Sequence, residues 1–351
     1  MSVFSRGQGS PARALHLVSL AAIVVLTSVM NCRAAAGVTY EGRSGPGHGK
    51  HIVLVSGDDE YHSEEALPAL AKILAVRHGF TSTVLFAINP ADGTIDPHQT
   101  RNIPGLEALK SADLLVLFLR FRDLPDEQMK LILDYTASGK PILAMRTSTH
   151  AFDLKTSPTY AKWSWNSKVP GWEGGYGRKV LGETWVAHHG DHGKQSTRAL
   201  FAPGASASPI LRGIEDGEIW VPTDTYEVHL PMAPTVTPLL LGQVLTWMGR
   251  DAQPVAGKVN DPMMPVAWTN NYTGETGKTT RVFTTTMGAA DDLETEGMRR
   301  LLVNVVYWAL GMETKILPKA DVALVGPYNP HSFLQTVYSA GVKPSDLELK
   351  P

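Results

Sequence analysis

Four stretches of this chain concentrate side chains able to move protons, hold charge or bind metal. His188-His189-Gly190-Asp191-His192 sets four metal-capable side chains in five residues. Neutral imidazoles and a carboxylate suit zinc or a similar divalent ion. The spacing partly matches an H-x-H-x-D-H pattern of metallo-hydrolases, but Ala187 stands where its first histidine would be. The alternative is a polar loop whose histidines hydrogen-bond locally.

Ser56 to Glu65 carries five carboxylates and His62 at the start of a helical pattern. His62 is a candidate general base or metal ligand. The acids equally suit the positive end of a helix dipole. Arg146-Thr147-Ser148-Thr149-His150 follows an apolar strand. Arg146 at such a tip can clamp a carboxylate, a phosphate or paired sugar hydroxyls, or pair with a nearby acid. His150 is a candidate acid/base. In Asp224-Thr225-Tyr226-Glu227 the candidate second carboxylate is Glu227, beside His229. Asp58, Tyr61, Trp185, Tyr226 and Trp268 are the expected substrate contacts, and His188, His189, Asp191 and His192 the expected metal ligands.

The elements that must position these groups follow from periodicity. His51–Val55, Thr81–Ile88, Asp113–Leu119 and Pro141–Met145 read as buried strands. Glu64–His78 and Pro125–Ser138 read as the intervening helices, with Ser63 as a predicted N-cap, Pro125 at a helix start and Gly139 as a stop. Leu106–Ser111 reads as a short helix. Apolar strands alternating with helices predict an α/β fold with a mostly parallel sheet covered on both faces. Further strands are expected at Arg198–Ala202, Glu218–Val221, Pro238–Leu245, Met264–Trp268 and Arg281–Thr286, and a helix at Glu294–Leu310. Residues 146–193 lack clean periodicity and hold Trp163, Trp165, Trp172 and Trp185, half of the eight tryptophans. This Trp-rich irregular insertion is either a sugar-stacking wall or packing. Ligands in such sheets bind beyond the carboxyl ends of the strands, where these loops fall.

The first 36 residues read as an export signal. Arg6 and Arg13 precede an apolar run, and Ala34-Ala35-Ala36 offers a cleavage site. Cleavage there would remove three of the 32 basic residues and none of the 34 acidic ones, leaving 29 and a formal charge of −5. It would also remove Cys32, the single cysteine, so no cysteine nucleophile or disulfide would remain. A lipid anchor through Cys32 is the alternative, although Asn31 is a poor neighbour for it. The charge gives no reason to expect nucleic-acid binding. Residues 37–49 read as a flexible leader, residues 50–313 as the α/β domain and residues 314–351 as a loosely packed tail. Gly47-His48-Gly49-Lys50 is not a phosphate loop, because it precedes a strand instead of following one.

Gly139-Lys140-Pro141-Ile142-Leu143-Ala144-Met145-Arg146 resembles the strand and elbow of class I glutamine amidotransferases, whose elbow residue is a cysteine. Arg146 at that position removes amidotransfer through a cysteine. The ordered set of motifs is more similar to the trehalose-utilisation (ThuA-like) family. It comprises the His62 loop, the elbow to His150 and Leu181-Gly182-Glu183-Thr184-Trp185 leading to His188-His189. Ser208 to Gly213, Asp224 to Glu227, Pro265 to Trp268 before Arg281-Val282-Phe283, and Val306 to Gly311 complete it. The resemblance covers about residues 50–313 and implies an amidotransferase-like, flavodoxin-type fold and a role in carbohydrate metabolism. With the leader it resembles an exported branch of planctomycete-type bacteria. The expected function is therefore action on a sugar or oxidised sugar derivative, in the periplasm or secreted. The alternative is a non-catalytic carbohydrate-binding protein.

Overall fold

The computed structural model describes residues 36–350. Residues 1–35 of the expected signal peptide, Cys32 among them, lie outside the described residues. In chain order the strands are β1 (Gly37–Tyr40), β2 (His51–Gly57), β3 (Thr81–Leu85), β4 (Leu114–Leu119), β5 (Ile142–Met145) and β6 (Ala187–His188). Then follow β7 (Thr197–Phe201), β8 (Trp220–Val221), β9 (Tyr226–Glu227), β10 (Val236–Val244), β11 (Met264–Thr273) and β12 (Thr279–Thr285). The α-helices are α1 (Ser63–His78), α2 (Asp126–Ala137) and α3 (Glu296–Ala309). The expected short helix forms as a 3-10 helix, Leu106–Lys110.

Ten strands form one sheet in the order β1-β3-β2-β4-β5-β12-β11-β10-β7-β8. From β3 through β12 every pairing is parallel. β4, Leu114-Leu115-Val116-Leu117-Phe118-Leu119, is buried along its whole length because helices cover both faces. Successive side chains point to opposite faces. Ile52, Leu54, Val116 and Leu143 pack with α1 and α3. Val53, Val55, Leu117 and Ala144 pack with α2.

The sheet corrects the expectation that it is mostly parallel. β12-β11-β10-β7-β8 and the β1–β3 pair are antiparallel, five pairings against four parallel ones. For β11 and β12 the chain geometry requires this. Residues 274–278 between β11 and β12 cannot span a parallel crossover, which needs a dozen or more residues.

Both chain ends of the described region also differ from expectation. Gly37–Tyr40 is not a flexible leader but an edge strand on β3, with Val38 and Tyr40 buried. The tail is not loose. It contains no strand or α-helix among its described residues, yet Ile316, Val322 and Phe333 are buried. Arg299 donates to the Val322 carbonyl at 2.7 Å, and Tyr40 donates to the Leu347 carbonyl at 2.9 Å. Residues 146–193 carry 3-10 turns at Arg146–His150 and Ala161–Trp163, a π turn at Gly177–Leu181, and β6 paired with β9.

Candidate functional site

The loops leaving β2, β4 and β5 meet at the carboxyl edge of the parallel strands. Asp58 accepts the Thr147 hydroxyl at 2.5 Å and so ties the β2 loop to the β5 loop. It also accepts the backbone N–H groups of Glu60 and Tyr61. Burial pushes its carboxyl up to about 6, against the pull of Thr147. Fully buried, Asp58 is a girder of the loop and not the substrate contact expected of it.

Three non-glycine residues on this edge have positive φ: His62 at 54°, Phe121 at 49° and Arg146 at 43°. Such backbone is strained for side chains with a Cβ, and surrounding bonds must hold it. His62 and Phe121 stand in loops, and Arg146 opens a 3-10 turn with its side chain held inward by Asp224 and Thr286.

Arg146 is the largest departure from expectation. Its guanidinium is fully buried and donates to the carbonyls of Asp224 at 2.8 Å and Thr286 at 2.5 Å. It also donates to Asp224 Oδ1 at 2.9 Å. The Tyr61 and Tyr226 rings lie 4.3 Å and 3.9 Å from its central carbon. Arg146 therefore has no free face for a substrate. A cation delivered into the core takes the nearest buried acid, and that acid is Asp224.

Asp224 in turn organises the surface. Its Oδ2 lies 2.7 Å from His188 Nδ1, and its Oδ1 lies 3.1 Å from His192 Nδ1. Burial opposes its charge, but Arg146 and the two imidazoles hold its carboxyl below the usual carboxylate range. The two histidine rings sit 4.8 Å apart. Glu60 reaches toward them, with Oε1 3.8 Å from His192 Nε2, while Arg120 grips its other oxygen at 2.8 Å. Glu60, His188 and His192 each offer one ligand atom, and these atoms lie within 4.8 Å of one another. Among the described residues, these three are the group placed to hold a metal ion.

Only part of the expected histidine cluster takes part. His189 Nε2 points to the Val259 carbonyl at 2.6 Å, and Asp191 is exposed beside Lys194. The odd and even positions of this short strand and turn cannot all face one side. Glu227 also misses the site. Tyr226 and Glu227 are neighbours on β9, so their side chains leave opposite faces, and Tyr226 is the one turned to Arg146 and His150.

His62 is not a free base. Nε2 meets the carbonyls of Ser332 and Gln335 at 3.1 Å and 3.0 Å, and Nδ1 faces Glu64 at 3.4 Å. Every partner is an acceptor, so the ring is held as an imidazolium. Burial opposes this, but Glu64 and Glu65 raise it to about 9. Ser63, the predicted N-cap, is instead the first residue of α1 and bonds Ser56 at 2.7 Å.

His150 lies at the other end of the edge, buried, with Nδ1 3.2 Å from the Thr149 hydroxyl. Burial first, then the charges of Arg120, Arg146 and His188, push its ring well below the ordinary histidine value, so it is neutral. Phe121, Trp185 and Tyr226 surround it at ring separations of 4.8, 5.0 and 6.0 Å. Trp165 lies 5.4 Å from Phe121 and 5.8 Å from Trp185. Phe121 and Trp165 also line a cleft with Asp123, Asp153 and Lys155.

Of the expected substrate contacts only Trp185 keeps open surface. Tyr61, Tyr226 and Trp268 are buried, and Trp268 donates to the Leu181 carbonyl at 2.7 Å within the core. Trp163 and Trp172 pack against each other at 4.4 Å. The residues missed by sequence reasoning are Asp224, Glu60, Arg120 and Phe121. Asp224 and Glu60 stand in the right loops, but nothing local marks which acid turns inward.

No family model matches the sequence, and no curated protein sequence matches it. Among solved structures, one described as a ThuA-like protein from Bacteroides uniformis ATCC 8492 aligns at 13% identity and TM-score 0.46, over 80% of this chain and 98% of that one. A second ThuA-like structure, from Parabacteroides merdae ATCC 43184, aligns at 12% identity and TM-score 0.44, over 75% and 90%. The mmIFT52 N-terminal domain aligns at 12% identity and TM-score 0.38, over 74% and 96%.

Proposed function

We propose that this chain is an exported ThuA-like protein that acts on a sugar or oxidised sugar derivative. The family reading rests on the ordered motifs of residues 50–313, and the export reading on residues 1–36. The order of the parallel strands, second-first-third-fourth-fifth in chain sequence, is that of flavodoxin-type sheets and supports the fold implied.

The observation that carries the substrate class is the aromatic wall around a neutral histidine. Phe121, Trp165 and Trp185 keep partly open faces, the usual surface for the apolar side of a sugar ring. His150, kept neutral by burial and by the neighbouring cations, can orient a ligand hydroxyl by hydrogen bonding. His188, His192 and Glu60 supply polar contacts at one end of the wall.

A panel of sugars, keto-sugars and aldonates tests this by thermal shift, with product analysis for turnover. A ligand at about 100 times its Kd stabilises by about 2.7 kcal/mol, enough to raise the melting temperature measurably. Trp185→Ala is expected to abolish the shift. His150→Gln is expected to keep binding and lower turnover. Binding without turnover in the native protein would favour the non-catalytic carbohydrate-binding reading, and the absence of any shift would overturn both.

A further inference from the structure

We infer that Glu60, His188 and His192 form a binding site for one divalent transition-metal cation, with Asp224 fixing both imidazoles from behind. The inference goes beyond the sugar reading and does not depend on it.

The first argument is the arrangement of the two rings. Both present Nδ1 to the same buried carboxylate, at 2.7 Å and 3.1 Å. Asp224 is an acceptor only, so each ring donates its Nδ1 proton to it. In the neutral ring this leaves the lone pair on Nε2. Metal-bound histidines are usually held in this way, with the other ring nitrogen donating to a carboxylate. One carboxylate orienting two histidines is hard to explain as chance local bonding.

The second argument is the third donor. Glu60 Oε1 faces His192 Nε2 at 3.8 Å, while Arg120 holds Oε2 at 2.8 Å. Arg120 thus holds the carboxylate with its other oxygen turned toward the histidines. Two imidazoles and one carboxylate form a donor set typical of zinc and related ions, with positions left open. In a tetrahedral site the donor atoms stand roughly 3.3 Å apart, given bonds of about 2.0–2.1 Å. One ligand atom of each residue lies within 4.8 Å of the others, a cluster that a bound ion would draw together. His188 and His192 are about one-third exposed, so an ion can reach them from solvent.

The third argument is electrostatic. Arg146 already neutralises Asp224, so the pair imposes little net charge. Glu60 is paired with Arg120 through one oxygen and offers the other to a cation. The rings are also braced, His188 against Trp185 and His192 against Phe333, at 5.9 Å and 5.3 Å. When bound, such an ion acts as a Lewis acid toward a ligand oxygen beside Trp185.

The test uses the full chain, stripped with chelator and titrated with Zn²⁺ by calorimetry, with metal analysis after dialysis and Co²⁺ absorption as a second readout. One ion per chain is expected, with a raised melting temperature and a Co²⁺ spectrum of low coordination number. Glu60→Gln and His192→Gln, at partly exposed positions, are each expected to weaken binding at least tenfold and to change the Co²⁺ spectrum. His189→Gln is expected to leave both unchanged. Asp224→Asn is expected to weaken binding 10- to 100-fold. If that variant fails to fold, Glu60→Gln and His192→Gln still decide. Absence of stoichiometric binding, or binding that survives Glu60→Gln with His192→Gln, overturns the site. Because no sugar is present, such a failure leaves the carbohydrate reading standing. Failure of sugars to bind to the zinc-loaded protein would sink that reading alone.

Discussion

Arg146 and Asp224 are the pair on which the site depends. Both are fully buried, and removing one strands the other charge without water. Arg146→Ala is expected to cost about 3–5 kcal/mol in urea unfolding. A cost under about 1 kcal/mol would show that the pair does not hold the site. Arg146→Lys is expected to recover only part, because an ammonium cannot serve Asp224 and Thr286 with a planar fork. At this scale the sequence was only half legible. It located the loops that meet at this edge, those of His188 and His192 among them. It could not tell whether Arg146 faced a ligand or an acid, because its partner lies 78 positions away. Nor could it choose between Asp224 and Glu227, because that choice depends on which face of β9 meets the core.

The elements show a second dependence, of α1 on the tail. His62 precedes the first turn of α1, and its imidazolium grips the carbonyls of Ser332 and Gln335. Glu65 accepts the His331 backbone N–H at 2.8 Å, and Phe333 stacks on Tyr61 at 5.8 Å. His62 binds its proton more tightly folded, at about 9, than unfolded, at about 6.5. Its contribution is therefore complete below about pH 6.5 and lost as pH rises through about 9. Hydrogen exchange of residues 316–347 is expected to quicken between pH 6.5 and pH 9.5, after correction for the intrinsic rate. His62→Gln is expected to flatten that difference. Equal corrected protection at both pH values would remove the clamp. The tail read as loose because it lacks periodicity. Its packing runs through carbonyls and single side chains such as Phe333, which no period records.

For the whole molecule, the alternation of strands and helices was legible, and the observed elements fall close to the expected ranges. The pairing partners in the second half of the sheet were not, since period two marks a strand but not its neighbour. One continuous sheet joins the parallel and antiparallel halves through β12 and β11. Calorimetry is therefore expected to show one cooperative transition for residues 36–350, whereas two resolved transitions would mean that the halves unfold separately. The two rims of this sheet also differ in what they tolerate. The carboxyl rim carries the strained residues His62, Phe121 and Arg146, while the opposite rim turns on glycines such as Gly79 and Gly139, which take positive φ without strain. An engineer extending or permuting this protein should cut beside Gly139, where Ser138 and Lys140 are only half-buried, and leave the other rim intact. Sequence drift should follow the same asymmetry, with loop lengths changing on the glycine rim and residue identities persisting on the strained one.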